Sequence, residues 1–543
     1  MILKNPKKQQ VVIYGFVFLS AILFFVFGLY HLEKFETVDE HFWKGERVPQ
    51  YWEALKNQNW KKTYINDKPG VSVALISGVG LLAEPNPEEH RIRDSKITEN
   101  ENYTVYDSNK TDKINFSLRF PILLFNALFL VFFFWIIKKI TDNDWLALLT
   151  MVFMALSPIL VGMSQIINPD ALFWVFSSAS IFSYFALLKT DERKFIRLTA
   201  LFLGASLLSK YTANILFPLF ILMFFSDLVI NFSAIKDKQG VKEYILKQLK
   251  YFLIITLASV AIFSLFMPAV FIKIKYLYRG TIGSPALESI FSIIIAFLGI
   301  LLSDALLLKS RVIETMAKFF SKNKQIIFKI TTFVLLGFFI FILINPYLKN
   351  PIVPLSDVKE EAFIDKDLIF PMLADYNPIL KLITKVAIEI QPFLFSLTPI
   401  IIMAILFLWG KMLFGKLEQY QLPVFIITFF TLLYFVATLF SGVLANPRYS
   451  IILYPLYAFL AAVGIYEFSN LTKIKKILFQ RNNIWMFLII IIFSGIFSLW
   501  KIKPFYLNYE SFLLPKKYVV TDAWGYGEYE AAQYLNSLPN PEK

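Results

Sequence analysis

Residues 35–71 read F-E-T-V-D-E-H-F-W-K-G-E-R-V-P-Q-Y-W-E-A-L-K-N-Q-N-W-K-K-T-Y-I-N-D-K-P-G-V. They begin just after an apolar run, Val11 to Tyr30, which matches the roughly 20 residues a bilayer core requires of a helix. Asp39 and Glu40 therefore lie just beyond a membrane surface. Two carboxylates so placed are either part of a solvated loop or a reaction centre beside the bilayer. The aromatic residues that follow (Phe42, Trp43, Tyr51, Trp52, Trp60) suit an amphipathic helix lying in the interface. The stretch closes on Asp67-Lys68-Pro69-Gly70, a cation beside a carboxylate. A further acid, Asp170, opens another apolar segment in I-N-P-D-A-L.

The rest of the chain is membrane-like. Of 543 residues 57% are hydrophobic and 17% charged, and the mean hydropathy is +0.58. Soluble domains carry about 25% charge. Long apolar runs recur, and the alternating ten-residue segments of a β-barrel are absent. Zero cysteines exclude disulfides and thiolate metal sites. With three histidines, a resident metal would have to use carboxylates. The net charge of +14 lies in short loops between apolar spans, so a nucleic-acid partner is excluded.

The fold class expected is an all-α polytopic membrane protein with about 13 transmembrane helices. After the first, the spans fall near 117–137, 145–162, 170–188, 197–209, 211–230, 251–272, 289–308, 326–346, 392–409, 422–441, 449–468 and 484–500. The break between 197–209 and 211–230 puts Lys210 at a turn. With the N-terminus in the cytoplasm, alternation gathers about +15 of net charge on the inner side and about −1 on the outer, as the positive-inside rule requires. Residues 1–500 then form one transmembrane domain. It has a long first outer loop (about 31–115) bearing interfacial helices and a second outer loop (about 347–390). Residues 501–543 form a short outer tail. Asp39, Glu40, Asp67, Lys68, Arg119, Asp170, Lys210 and Arg448 all fall at or near the outer side. No internal repeat of the transporter kind is evident.

This layout resembles the GT-C membrane glycosyltransferases of the glycosyltransferase family 39 type. That type comprises the bacterial relatives of protein O-mannosyltransferases and of lipid A aminoarabinose transferases. The resemblance rests on the acidic pair Asp39-Glu40 after the first span, the Y-W-x-A-L stretch Tyr51 to Leu55, and Lys68-Pro69-Gly70. It extends to Arg448-Tyr449 before a helix containing Pro455. In the tail it takes in P-F-Y-L-N-Y-E (504–510) and D-A-W-G-Y-G-E-Y-E-A-A-Q-Y-L-N (522–536).

The resemblance implies an inverting transfer of a hexose or pentose from a polyprenyl-phosphate carrier. The acceptor is a protein or a glycolipid outside the cytoplasm, in a bacterial inner membrane. It assigns Asp39 as general base. Glu40 orients Asp39, binds the acceptor or raises the proton affinity of Asp39 by like-charge repulsion. Lys68, Arg448, Lys210 and Arg119 are the cations expected at the donor phosphate; the blander fate of each is to snorkel to the headgroups. Asp170 matches a family acid, although Gln165 stands where the family often has Arg; alternatively it only balances a helix dipole. Asp67 precedes Lys68 where the aminoarabinose transferases place a metal ligand, but the histidine that joins it there has no equivalent. A divalent cation on Asp39, Glu40 and Asp170 is the metal site these residues allow. The rival reading is a carrier or lipid flippase without glycosyl transfer.

Overall fold

The computed structural model describes residues 6–87, 108–352, 377–439, 445–471 and 483–518, apart from 282, 284, 416 and 418, and a few positions between 531 and 539. The fold is helical throughout these residues, as expected of a polytopic membrane protein. Most of the second tail motif and residues 353–376 of the second outer loop lie outside the described residues.

The N-terminal half is built on α1 (Pro6–Leu29), α4 (Ser108–Thr141), α5 (Asp144–Ala155), α6 (Pro158–Ser164), α7 (Pro169–Thr190) and α8 (Arg193–Ser209). Between α1 and α4 come two short helices, α2 (Val48–Lys56) and α3 (Val71–Ser77). Then follow α9 (Leu216–Ile230), α10 (Val241–Phe266), α11 (Pro285–Leu307), α12 (Arg311–Ile344), α13 (Pro378–Phe395), α14 (Pro399–Phe414), α15 (Gln421–Leu439), α16 (Leu453–Ser469) and α17 (Asn483–Ile502).

The burial of each helix follows from its composition. Helix α7 is rich in Ser and Ala (S-S-A-S-I-F-S), which lets neighbouring backbones approach; it is the centre of the bundle, 94% buried over its most apolar window. Helices α4 and α8 flank it, and α10 packs on α8. In the C-terminal half α16 joins α14 to α5. Helices α1, α10, α12 and α17 each contain a long apolar window of which at most a third is buried. Only hydrocarbon can cover such faces. Eight described helices are long and apolar enough to cross a membrane, and the pair α5–α6 makes a ninth if its two parts form one span.

Two expected spans are altered. The 145–162 segment is bent by 61° between α5 and α6, where Pro158 starts α6 at its first turn and cannot donate to the preceding turn. The 392–409 segment is not one helix: α13 ends at Phe395 and α14 begins at Pro399. Helix α13 packs against the 3-10 turn Pro447–Ser450, which carries Arg448. The 197–230 region breaks where expected, with Lys210 extended between α8 and a 3-10 turn, Tyr211–Ile215.

The amphipathic aromatic stretch also departs from expectation. Trp43 and Tyr51 are buried in protein rather than laid on lipid. The Tyr51 hydroxyl donates to the Phe266 carbonyl at 2.6 Å. Trp43 fills the space a side chain would need at Gly70, whose φ is +68°. Trp52 and Trp60 keep about two-fifths of their surface exposed.

Candidate functional site

Six of the eight charged residues singled out from the sequence meet at one end of the bundle, in two layers. The inner layer is Glu40 with Arg119. Both side chains are fully buried. The Arg119 guanidinium donates from Nε to Glu40 Oε1 at 2.9 Å and from Nη2 to Oε2 at 2.7 Å. It also donates to the carbonyls of Leu32 and Phe35. Four of its N–H donors are thus engaged, and its face lies over the Phe35 ring. Glu40 also accepts from the Ile167 N–H and from the Thr37 N–H and hydroxyl. Burial alone would raise the Glu40 carboxyl, but Arg119, Lys44 and the Ile167 N–H outweigh it and hold the group below the usual carboxylate value. This corrects the expectation for Arg119: its hydrogen bonds go to Glu40 and the loop after α1, and its burial leaves no face for a phosphate.

The outer layer is Asp170, Lys210, Arg448 and Asp39. Asp170 is fully buried at the start of α7. Its carboxylate accepts from Lys210 Nζ at 2.8 and 3.1 Å and faces Arg448 Nε at 3.1 Å. Arg448 Nη1 lies 3.5 Å from Asp39 Oδ2. Both cations sit over the Tyr449 ring, each 5.1 Å from its centroid. Burial draws the Lys210 ammonium below its usual value; Asp170 opposes this, and Arg448 and Lys68 add repulsion. Asp39 alone among Asp39, Glu40 and Asp170 is open, its side chain 43% exposed.

The local sequence explains how Asp170 and Arg448 are aimed. Asn168-Pro169-Asp170 and Asn446-Pro447-Arg448 are the same device. In each the Asn side chain accepts from the N–H two residues on, at 3.0 and 2.9 Å, and Pro fixes the first helical turn. The repeated N-P pair was visible in the sequence and its pairing across the fold was not.

Asp67 and Lys68 form an exposed edge near this cluster. The Lys68 N–H donates to Asp67 Oδ1 at 2.8 Å. Gly70 N–H donates to the Ser209 carbonyl at 3.1 Å, and Ser72 pairs with Ser209 at 2.7 Å. These contacts dock the Lys-Pro-Gly element on the residue before Lys210. Gln165, in the place where an Arg was looked for, is buried and donates at 3.0 Å to the carbonyls of both Gly28 and Tyr30. It thereby satisfies open carbonyls at the end of α1.

Sequence reading missed Arg47. It ends a π-helical turn, Trp43–Arg47, a distortion frequent at functional sites. Its guanidinium lies 4.8 Å from the Trp43 ring centroid and 5.4 Å from that of Phe42, half-buried, in the field of Asp39, Glu46 and Asp67. Glu389 was missed too. It is buried in α13 and lines a small cleft with Tyr434, Asn446 and Tyr449. Among the described residues, no three His, Asp or Glu side chains converge to hold a metal ion. Glu40 and Asp170 have cations as their partners instead.

Residues 62–278 match the family model described as dolichyl-phosphate-mannose-protein mannosyltransferase. Over that segment the chain is similar to that family. No curated protein matches it. The similarity to the mannosyltransferase family supports a lipid-phosphate-sugar glycosyltransferase of the GT-C kind in an integral membrane protein. The matched segment contains Asp67, Lys68, Arg119, Asp170 and Lys210. Asp39 and Glu40 precede it and Arg448 follows it, yet Glu40 pairs with Arg119 and Arg448 faces Asp170 inside it, and Asp39 reaches the segment through Arg448.

Proposed function

We propose that the protein transfers a hexose or pentose from a polyprenyl phosphate to a hydroxyl of a protein or glycolipid, with inversion, on the extracytoplasmic side of a bacterial inner membrane. The observation that carries this reading is the outer layer: one open carboxylate, Asp39, beside two cations anchored by a buried one. In the reaction the acceptor oxygen bonds to the anomeric carbon as its proton passes to Asp39. The bond from that carbon to the phosphate oxygen breaks, and the electron pair stays on the phosphate. Arg448 and Lys210 meet that charge, and Lys68 and Arg47 reinforce them from the first loop. Electrostatic stabilisation of this kind acts where charge develops. Asp170 is a positioning residue, and Glu40 with Arg119 fixes the loop that presents Asp39.

The test is sugar transfer from membranes loaded with polyprenyl-phosphate sugar, wild type against Asp39→Asn. A general base typically supplies about 10²–10⁴-fold, so the variant should lose a hundredfold or more while still binding donor. Equal rates would remove Asp39 from the chemistry. Absence of transfer in both proteins, across several donors, would favour the carrier reading.

A further inference from the structure

The chain leaves α10 at Met267 and runs as M-P-A-V-F-I-K-I-K-Y-L-Y-R-G to Gly280. Two short helices, Ala269–Ile272 and Lys275–Gly280, occupy it. The segment contains Lys273, Lys275 and Arg279 and no acid. Phe271, Ile272, Ile274 and Tyr278 are each more than half exposed. The segment continues the bare apolar side of α10, where Leu257 and Leu265 are also exposed. It is fastened to the site's first loop. Ala269 N–H donates to Thr63 Oγ1 at 3.0 Å, Tyr276 stacks on Tyr64 at 3.9 Å, and the Arg279 charge acts on the Tyr64 phenol. Asn214, just past Lys210, donates to the Gly280 carbonyl at 3.3 Å.

We propose that residues 267–280 form an in-plane docking surface for anionic phospholipid headgroups, and that it couples the charge of the bilayer to the site. Apolar side chains in this position enter the acyl boundary, and adjacent cations meet the headgroups. A strip with three cations and no acid is complementary to a negative surface. The occupant is the lipid leaflet because the strip begins where a lipid-facing span ends. Tyr64, Thr63 and Asn214 then transmit its position to the loop carrying Asp67-Lys68 and to the turn after Lys210. The effect on donor capture rests on the transferase reading; lipid docking itself does not.

The experiment places the full chain in nanodiscs of phosphatidylcholine, with and without phosphatidylglycerol at about a third of the lipid. Thermal midpoint and binding of polyprenyl monophosphate are measured in each. Juxtamembrane cations interact substantially with anionic surfaces, so phosphatidylglycerol should raise the midpoint and tighten monophosphate binding roughly tenfold. Lys273→Gln with Lys275→Gln should abolish both effects, and the paired Arg variant should keep them. Arg279 is left in place because its charge acts on Tyr64. A wild-type midpoint indifferent to phosphatidylglycerol, or an undiminished response in the Gln pair, would overturn the inference. A midpoint response without monophosphate binding in either bilayer would uphold lipid docking and count against the transferase reading.

Discussion

Glu40 and Arg119 lie 79 positions apart in the chain and depend on each other inside the protein. Replacing Arg119 with Met would leave a buried carboxylate without its cation, which costs about 3–5 kcal/mol. Thermal melts in detergent should show a large fall for Arg119→Met and a partial recovery when Glu40→Gln is added. The same pair sets an acid limit. Glu40 has a folded-state value below its unfolded one, so its contribution to stability is complete above the unfolded value of about 4.3. It is lost as pH falls through the lower folded value. The wild-type melting midpoint should fall across that acid window, and Glu40→Gln should remove this component. The acidic pair was legible in the sequence; which member stays open was not. That depends on a guanidinium from α4, and no local pattern announces it. Arg119 read as a phosphate ligand for the same reason: sequence places a cation near a surface but does not say what already holds it.

Hydropathy located nearly every helix because the bilayer demands long apolar runs. It failed where apolar composition continues through a break. Nothing in the apolarity of 392–409 marks the stop between α13 and α14; Pro399, as a first-turn residue, was the available signal. Helix contacts were equally hidden, since they depend on where a side chain is missing. A Cβ on Gly464 of α16 would stand 2.2 Å from the Ala404 carbonyl oxygen of α14, whereas one on Gly410 meets nothing within 4 Å. Gly464→Ala should therefore lower the melting midpoint, at about 1–3 kcal/mol for overpacking. Gly410→Ala should be neutral or slightly stabilising, as helix propensity favours alanine by up to about 1 kcal/mol. Equal midpoints for the two variants would refute this account of the α14–α16 contact.

At the level of the molecule, the loops at the two ends of the bundle differ in chemistry. Lys138 with Asp144, Lys247 with Asp191 and Lys236 with Glu314 pair at the end away from Asp39. This is the distribution expected if that end faces the cytoplasm. A chain without cysteine permits a clean test. Cysteine introduced at Lys275, past the C-terminal end of α10, should react with a membrane-impermeant maleimide on intact cells. Cysteine at Lys242, at the helix's other end, should react only after the membrane is opened. The reverse pattern would invert the orientation and move the site to the cytoplasmic side.

The ion triad of the outer layer also bears on biosynthesis. Asp170 and Lys210 enter the membrane early and neutralise each other within two neighbouring helices. Arg448 joins them only after α15 has been made, bringing an excess positive charge that Asp39, from near the start of the chain, partly offsets. An unfinished chain held at the translocon therefore contains a charge-balanced pair that is safe to insert. The anion-attracting character of the site appears only when the last fifth of the protein arrives.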